Sequence, residues 1–162
     1  MEKKKPYLIA VIALIIGFLI YKVVQLYRWY NTLSVVPKIS FKKVEGNNLI
    51  LDLIIVLDNP KGFSLSITRP NIRLYLNNSL LTSSDYSSKK IKILPFAKTE
   101  INYEIQIPIT ATLVKEIVNA GVTTVDLLRA GNNNLKLGLN LETHAHFEVW
   151  GIPNTYVEKI NV

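Results

Sequence analysis

The sequence predicts a mainly β protein, an N-terminal transmembrane helix followed by an immunoglobulin-like antiparallel β-sandwich with one helical insertion. Three observations carry that expectation. Residues 6–30, PYLIAVIALIIGFLIYKVVQLYRWY, hold no charge between Tyr7 and Tyr21 and are aliphatic or aromatic almost throughout. After Pro37 the apolar period changes from about 3.6 to about 2 residues, most plainly at Leu49, Leu51, Leu53, Ile55 and Leu57. Helical spacing then returns clearly over 111–120, where Leu113, Val114, Ile117 and Val118 form an apolar stripe.

The N-terminal run sets the domain plan. A helix over 7–27 is about 31 Å long at about 1.5 Å per residue, close to the ~30 Å of a bilayer's hydrocarbon. Lys22 interrupts the run and is expected to snorkel its ammonium to the interface. Tyr7 at one end, and Tyr27, Trp29 and Tyr30 beyond Tyr21 at the other, supply aromatic belts. A cleavable signal peptide is the rival reading, but no small-x-small site follows the apolar run, which continues from Lys22 through Val23, Val24, Leu26 and Tyr27. The expected plan is a basic tail and anchor over 1–30, a short exit linker over 31–37 ending at Pro37, and a β-sandwich domain over 38–162.

Composition narrows the function classes. The formal net charge is +7, and Lys3, Lys4, Lys5, Lys22 and Arg28 flank or interrupt the apolar run. Basic residues there set topology and meet anionic headgroups, so the excess argues for a membrane surface. The other basic residues are scattered along strands, not clustered with aromatics, which argues against nucleic acid as a partner. The triple lysine favours an N-terminus on the cytoplasmic side with the domain outside, periplasmic or extracellular, although Lys38, Lys42 and Lys43 place positive charge on the far side too. The chain has no cysteine, which excludes disulfides, thiolate metal sites and thiol catalysis.

The remaining elements follow in order. Alternation predicts strands over 38–44 and 49–58, the second apolar on both faces and therefore central. Asn59, Pro60, Lys61 and Gly62 stop it, and short strands follow over 63–67 and 71–76. Asn77, Asn78 and Ser79 form a hairpin turn into 80–83. A polar loop leads to 90–93, whose lysines guard an edge, and 100–107 alternates with Ile101, Tyr103, Ile105 and Ile107 inward. Thr110 caps the helix over 111–120 and Gly121 ends it. Thr123 or Thr124 starts a second helical turn running to Ala130. A long strand is expected over 135–150, a break at Gly151, Ile152 and Pro153, and a last strand over 155–162. About eight strands with one helix late in the order fit a two-sheet sandwich.

Several of these segments carry a family likeness. Asn59-Pro60 closing an apolar strand, the FSLSI segment at 63–67, IRLYLNN at 72–78, the helix after Thr110 and Ile152-Pro153 before the last strand together resemble the late embryogenesis abundant type 2 family, also called the water-stress and hypersensitive-response (WHy) domain. The resemblance covers about the whole domain from Val36 to Val162. It departs at the hairpin, where Asn77-Asn78-Ser79 stands in place of an Asn-Gly turn. The resemblance implies a β-sandwich with one helix, no enzyme activity, frequent attachment to an N-terminal span, and a role in stress protection, lipid contact or partner binding.

Candidate chemistry is sparse. Glu142, His144, His146 and Glu148 share one face of a strand at i, i+2 spacing, and a His-x-His pair with Glu142 could ligate a metal. The alternative is a solvated polar face opposite Thr143, Ala145 and Phe147. Asp52 and Asp58 sit about 20 Å apart along a strand, too far to share a proton. The serines at 83, 84, 87 and 88 have no histidine near them in sequence, and neither a Gly-x-Ser-x-Gly elbow nor a phosphate-binding glycine loop occurs. The expectation is a non-enzymatic membrane-anchored domain, without cofactor, whose partners are the lipid bilayer and a protein partner or assembly. A structural protein of a lipid-containing virion, linking membrane to capsid, is the alternative, and a metal or ligand binder using His144 and His146 is the third.

Overall fold

The chain divides into two units, Met1–Leu33 and Ser34–Val162. The computed structural model describes residues 5–30, 33–123, 126–127, 135–149 and 151–162, with the side chains of the first helix described at 7, 10–24 and 27. That helix, α1, is Lys5–Tyr30, 26 residues long, or about 39 Å at about 1.5 Å per residue. Every described side chain on it is exposed. Among the described residues no helix is long and apolar enough to cross a membrane. The described side chains run unbroken only over 10–24, short of the roughly 20 residues a span needs.

The second unit is built from antiparallel strands. β1 (Ser34–Glu45), β2 (Asn48–Asn59) and β7 (Ala97–Pro108) form a three-stranded sheet in the order β1-β2-β7. β3 (Leu65–Thr68), β4 (Asn71–Leu76), β5 (Ser79–Ser83), β6 (Lys90–Ile93), β8 (Asn140–Val149) and β9 (Ile152–Asn161) form the other. β9 pairs with β8 along its whole length, from Asn140↔Asn161 to Val149↔Ile152. β4 and β3 therefore share the other edge of β8 end to end, at Leu76↔Leu141 through Asn71↔His146 and at Ile67↔Val149. Arg69 and Pro70 interrupt that edge, because proline has no N–H for the ladder.

The inward faces of the two sheets meet in one core. Leu49, Leu51, Leu53, Ile55 and Leu57 of the central strand β2 are fully buried, and Ile67, Ile72, Leu74, Leu141, Ala145 and Val149 are buried on the other sheet. The helix α2 (Ala111–Asn119) follows β7. The Thr110 Oγ1 accepts a hydrogen bond from the Leu113 N–H at 3.2 Å, and Leu113 and Ile117 are its buried residues. The cap and stripe expected from sequence are thus both present.

Four expectations are corrected. The linker expected at 31–37 gives way to strand at Ser34, with residues 31–32 outside the described set. Pro37 lies inside β1 opposite Ile55, which costs no ladder bond on an edge strand paired on one side only. The simple alternation over 38–44, with Ile39, Phe41 and Lys43 on one face, is broken: a bulge between Phe41 and Lys43 inserts Lys42 and shifts the register, so Val44 takes the place of Lys43 on that face. The strand expected over 135–150 begins only at Asn140, after Gly138 at φ +66°, where an added Cβ would lie 2.5 Å from the Ala120 Cβ. Ile152-Pro153 does not break the chain but opens β9; Gly151, at φ +81°, makes the turn. Of the second helical turn only Asp126 and Leu127 are described, and Thr123 caps it through Asp126 Oδ2, which accepts from the Thr123 N–H at 2.9 Å.

Candidate functional site

The predicted histidine face lies on the outside of the larger sheet. Pairing places Tyr75 opposite Glu142, Arg73 opposite His144 and Asn71 opposite His146 on β4, with Lys159, Val157 and Thr155 opposite the same three on β9. His144 Nε2 lies 2.6 Å from Glu142 Oε1, and its ring packs 4.6 Å from Tyr75. His146 Nδ1 bonds the Thr155 hydroxyl at 2.8 Å. Burial pushes the His146 pKa down, helped by the positive Arg73 and by His144. The two imidazoles are 6.1 Å apart between centroids. No group of three His, Cys, Asp or Glu side chains among the described residues is placed to hold a metal. The stripe is a tied polar surface, each ring engaged with a neighbour on the sheet.

The two aspartates are separate in space and in role. Asp52 lies 3.3 Å from Lys42, the bulge residue, which also donates to Glu104 at 2.7 Å. That hydrogen bond raises the Lys42 pKa and lowers that of Glu104. Asp58 lies 3.6 Å from Lys98. Both are cross-strand ion pairs on the outer face of the three-stranded sheet.

The serines of the β5–β6 loop line an open polar cavity of about 690 Å³ beside β7, with Arg69 at its side. Arg69 Nη2 donates to the Asn102 carbonyl at 2.8 Å, its guanidinium lies 4.5 Å from the Tyr103 ring, and the Tyr103 hydroxyl donates to the Pro70 carbonyl at 2.7 Å. Burial raises the Tyr103 pKa to about 12, so the hydroxyl stays a donor at neutral pH. The arrangement covers one of the main-chain carbonyls on the free edge of β7, a protection against edge pairing. Sequence reading missed this contact, since Arg69 and Asn102 are 33 residues apart.

The Asn59-Pro60 motif has the most connected geometry. Asn59 ends β2, is fully buried, and with Thr143 is one of two buried polar residues among the described residues. Its Nδ2 donates to the Phe63 carbonyl at 2.9 Å and to the Leu94 carbonyl at 3.0 Å, while its Oδ1 accepts from the Lys61 N–H at 3.1 Å. One side chain therefore braces two loops, residues 60–64 and 94–96. Pro60 follows with no N–H, so the ladder with β7 stops at Asn59↔Ala97. The loops are also joined by the Phe96 N–H donating to the Lys61 carbonyl at 3.1 Å. Phe96 is held at φ +50° and is 75% exposed, with Leu94 at 53%.

On α1, Tyr7, Tyr21 and Tyr27 are exposed at 76%, 57% and 68%. The Trp29 and Tyr30 side chains lie outside the described residues. The ammonium of Lys22 lies 5.5 Å from the centre of the Phe18 ring, one turn toward the N-terminus. Side chains on an α-helix slant that way.

No protein-family model matches the chain, and no curated protein matches it. Among solved structures it is similar to a crystal structure of a protein from Archaeoglobus fulgidus, with TM-score 0.43 and 9% identity over 81% of this chain and 98% of that one. It is also similar to a solution structure of a protein provisionally assigned as late embryogenesis abundant, with TM-score 0.40 and 14% identity over 98% of this chain and 90% of that one.

Proposed function

We propose that this protein is a non-enzymatic, single-pass membrane protein in which α1 is the anchor and the β-sandwich serves a structural or partner-binding role at the lipid surface. The observation that carries this reading is the character of α1. It is a 26-residue helix with every described side chain exposed, among them Ile12, Leu14, Ile15, Ile16, Phe18, Leu19 and Ile20. A helix apolar on all sides needs an apolar medium around it, and lipid supplies one. Lys3, Lys4 and Lys5 at its N-terminal end favour a cytoplasmic N-terminus and an external domain. The ion pairs and hydrogen bonds of Asp52, Asp58, His144 and His146 support a sandwich that presents surfaces, in keeping with the type 2 late embryogenesis abundant resemblance of its motifs.

The test is extraction of the full chain from membranes. Alkaline carbonate is expected to leave it in the pellet and detergent to release it. Recovery in the carbonate supernatant defeats the reading. Capsid and packaging genes beside this one would place the same architecture in a virion membrane.

A further inference from the structure

We propose that the two loops braced by Asn59, tipped by Leu94, Pro95 and Phe96 beside Phe63 and Lys61, enter the headgroup–acyl boundary of the bilayer that holds α1. This deepens the anchored reading and rests on it.

The loops' place in the fold is the first argument. Ser34, where the chain enters the sandwich, pairs with Asp58, and Asp58 pairs with Lys98. The loop after β2, the loop before β7 and the β8–β9 turn therefore all lie at the end where β1 begins. α1 ends at Tyr30, and covalent length alone lets the chain from Tyr30 to Ser34 extend at most about 14 Å. The covalent link from α1 therefore enters the sandwich at the end where these three turns gather.

The chemistry of the tip is the second argument. Residues 93–97 read Ile-Leu-Pro-Phe-Ala without a charge. Ile152, which opens β9 at the same end, is 47% exposed. Lys61 flanks the apolar tip, the combination that suits an interface with anionic headgroups.

The cost of the conformation is the third. A bulky residue at φ +50° is strained, and Phe96 is held there by the Lys61 carbonyl and by the buried Asn59 amide on either side. Its ring lies against Gly62, where an added Cβ would come within 3.2 Å of it. Strain that the surrounding structure maintains in order to expose an aromatic ring needs a use for the ring, and a lipid interface is that use.

The absence of native cysteine makes the test direct. Full-length Ser64→Cys, Ser79→Cys and Leu14→Cys proteins, each carrying an environment-sensitive fluorophore, are reconstituted in phosphatidylcholine–phosphatidylglycerol vesicles. Ser64 lies in the first loop and Ser79 at the opposite end of the sandwich. The probes at 14 and 64 are expected to be quenched by lipid-borne nitroxide, and the probe at 79 by aqueous iodide alone. In a Leu94→Ser, Phe96→Asn background the probe at 64 is expected to pass to the iodide-accessible state, asparagine being tolerant of positive φ. A probe at 64 that behaves like the one at 79, with 14 in lipid, overturns the tip contact and leaves the anchor standing. A probe at 64 still quenched from the lipid in the double variant removes Leu94 and Phe96 as its cause. Iodide access at 14 defeats the anchored reading and this inference with it.

Discussion

Asn59 makes three hydrogen bonds from a fully buried position, and each would be orphaned by truncation. Asn59→Ala leaves two part-buried carbonyls and one N–H without this partner, at about 1–3 kcal/mol for a fully stranded group and less where water enters. A loss of roughly 2–4 kcal/mol in urea unfolding is the expected outcome, and a loss within error would show that the bracket carries no stability. His146 is a second residue with a readable consequence. Its folded pKa is depressed by burial, Arg73 and His144, so the unfolded chain binds the proton more readily. Stability from this group is complete above the ordinary histidine pKa of about 6.5 and is lost as pH falls through that value toward the folded one. His146→Gln is therefore expected to flatten the fall in melting temperature between neutral pH and about pH 5, and an unchanged pH profile would assign the fall elsewhere.

Elements owe their boundaries to a few backbone decisions. The β4–β5 hairpin turns at Asn77 and Asn78, with φ of 50° and 65°, the two positive values that a type I′ turn requires. Asparagine tolerates that region, so the pair does the work of Asn-Gly. The β1 bulge turns Lys43 off the inward face and sets the inserted Lys42 as the bridge between Asp52 and Glu104. α2 depends on its first turn: Thr110→Ala removes the bond to the Leu113 N–H and is expected to cost about 1 kcal/mol. Hydrogen exchange should localise the loss to 111–119, and uniform loss across β2 would mean that α2 does not open on its own.

At the scale of the whole molecule, the sandwich and α1, the anchor proposed above, call for different media. Leu53 is fully buried between the sheets, and Leu53→Ala is expected to cost about 2–5 kcal/mol on chemical unfolding. The side chains of α1 have no such shelter. Replacing Leu14 and Ile16 by arginine adds about 2.5–3.5 kcal/mol per residue to membrane insertion and is expected to move the full chain from the carbonate pellet to the supernatant. A chain that stays in the pellet with both arginines in place would show that α1 is not what holds it there.

Sequence pattern marked seven of the nine strands of the described residues to within three residues, and the Thr110 cap and the apolar stripe of α2 were equally plain. Such features are local, since neighbouring side chains in a strand or helix turn face fixed directions set by backbone geometry. Position along the chain also singled out Asn59-Pro60 as a stop. What the sequence could not disclose was decided by partners far along the chain. The inward turn of Val44 depends on a bulge against β2, and the late start of β8 follows Gly138, whose positive φ and close approach to Ala120 belong to the assembled fold. The double bracing by Asn59 needs Leu94, 35 residues on. Spacing put the histidines on one polar face, but their contacts with Glu142, Tyr75 and Thr155 were set by the paired strands. Local periodicity is written in consecutive residues, whereas a buried amide's partners, a strained turn's support and the end at which loops gather are properties of the assembled sheets.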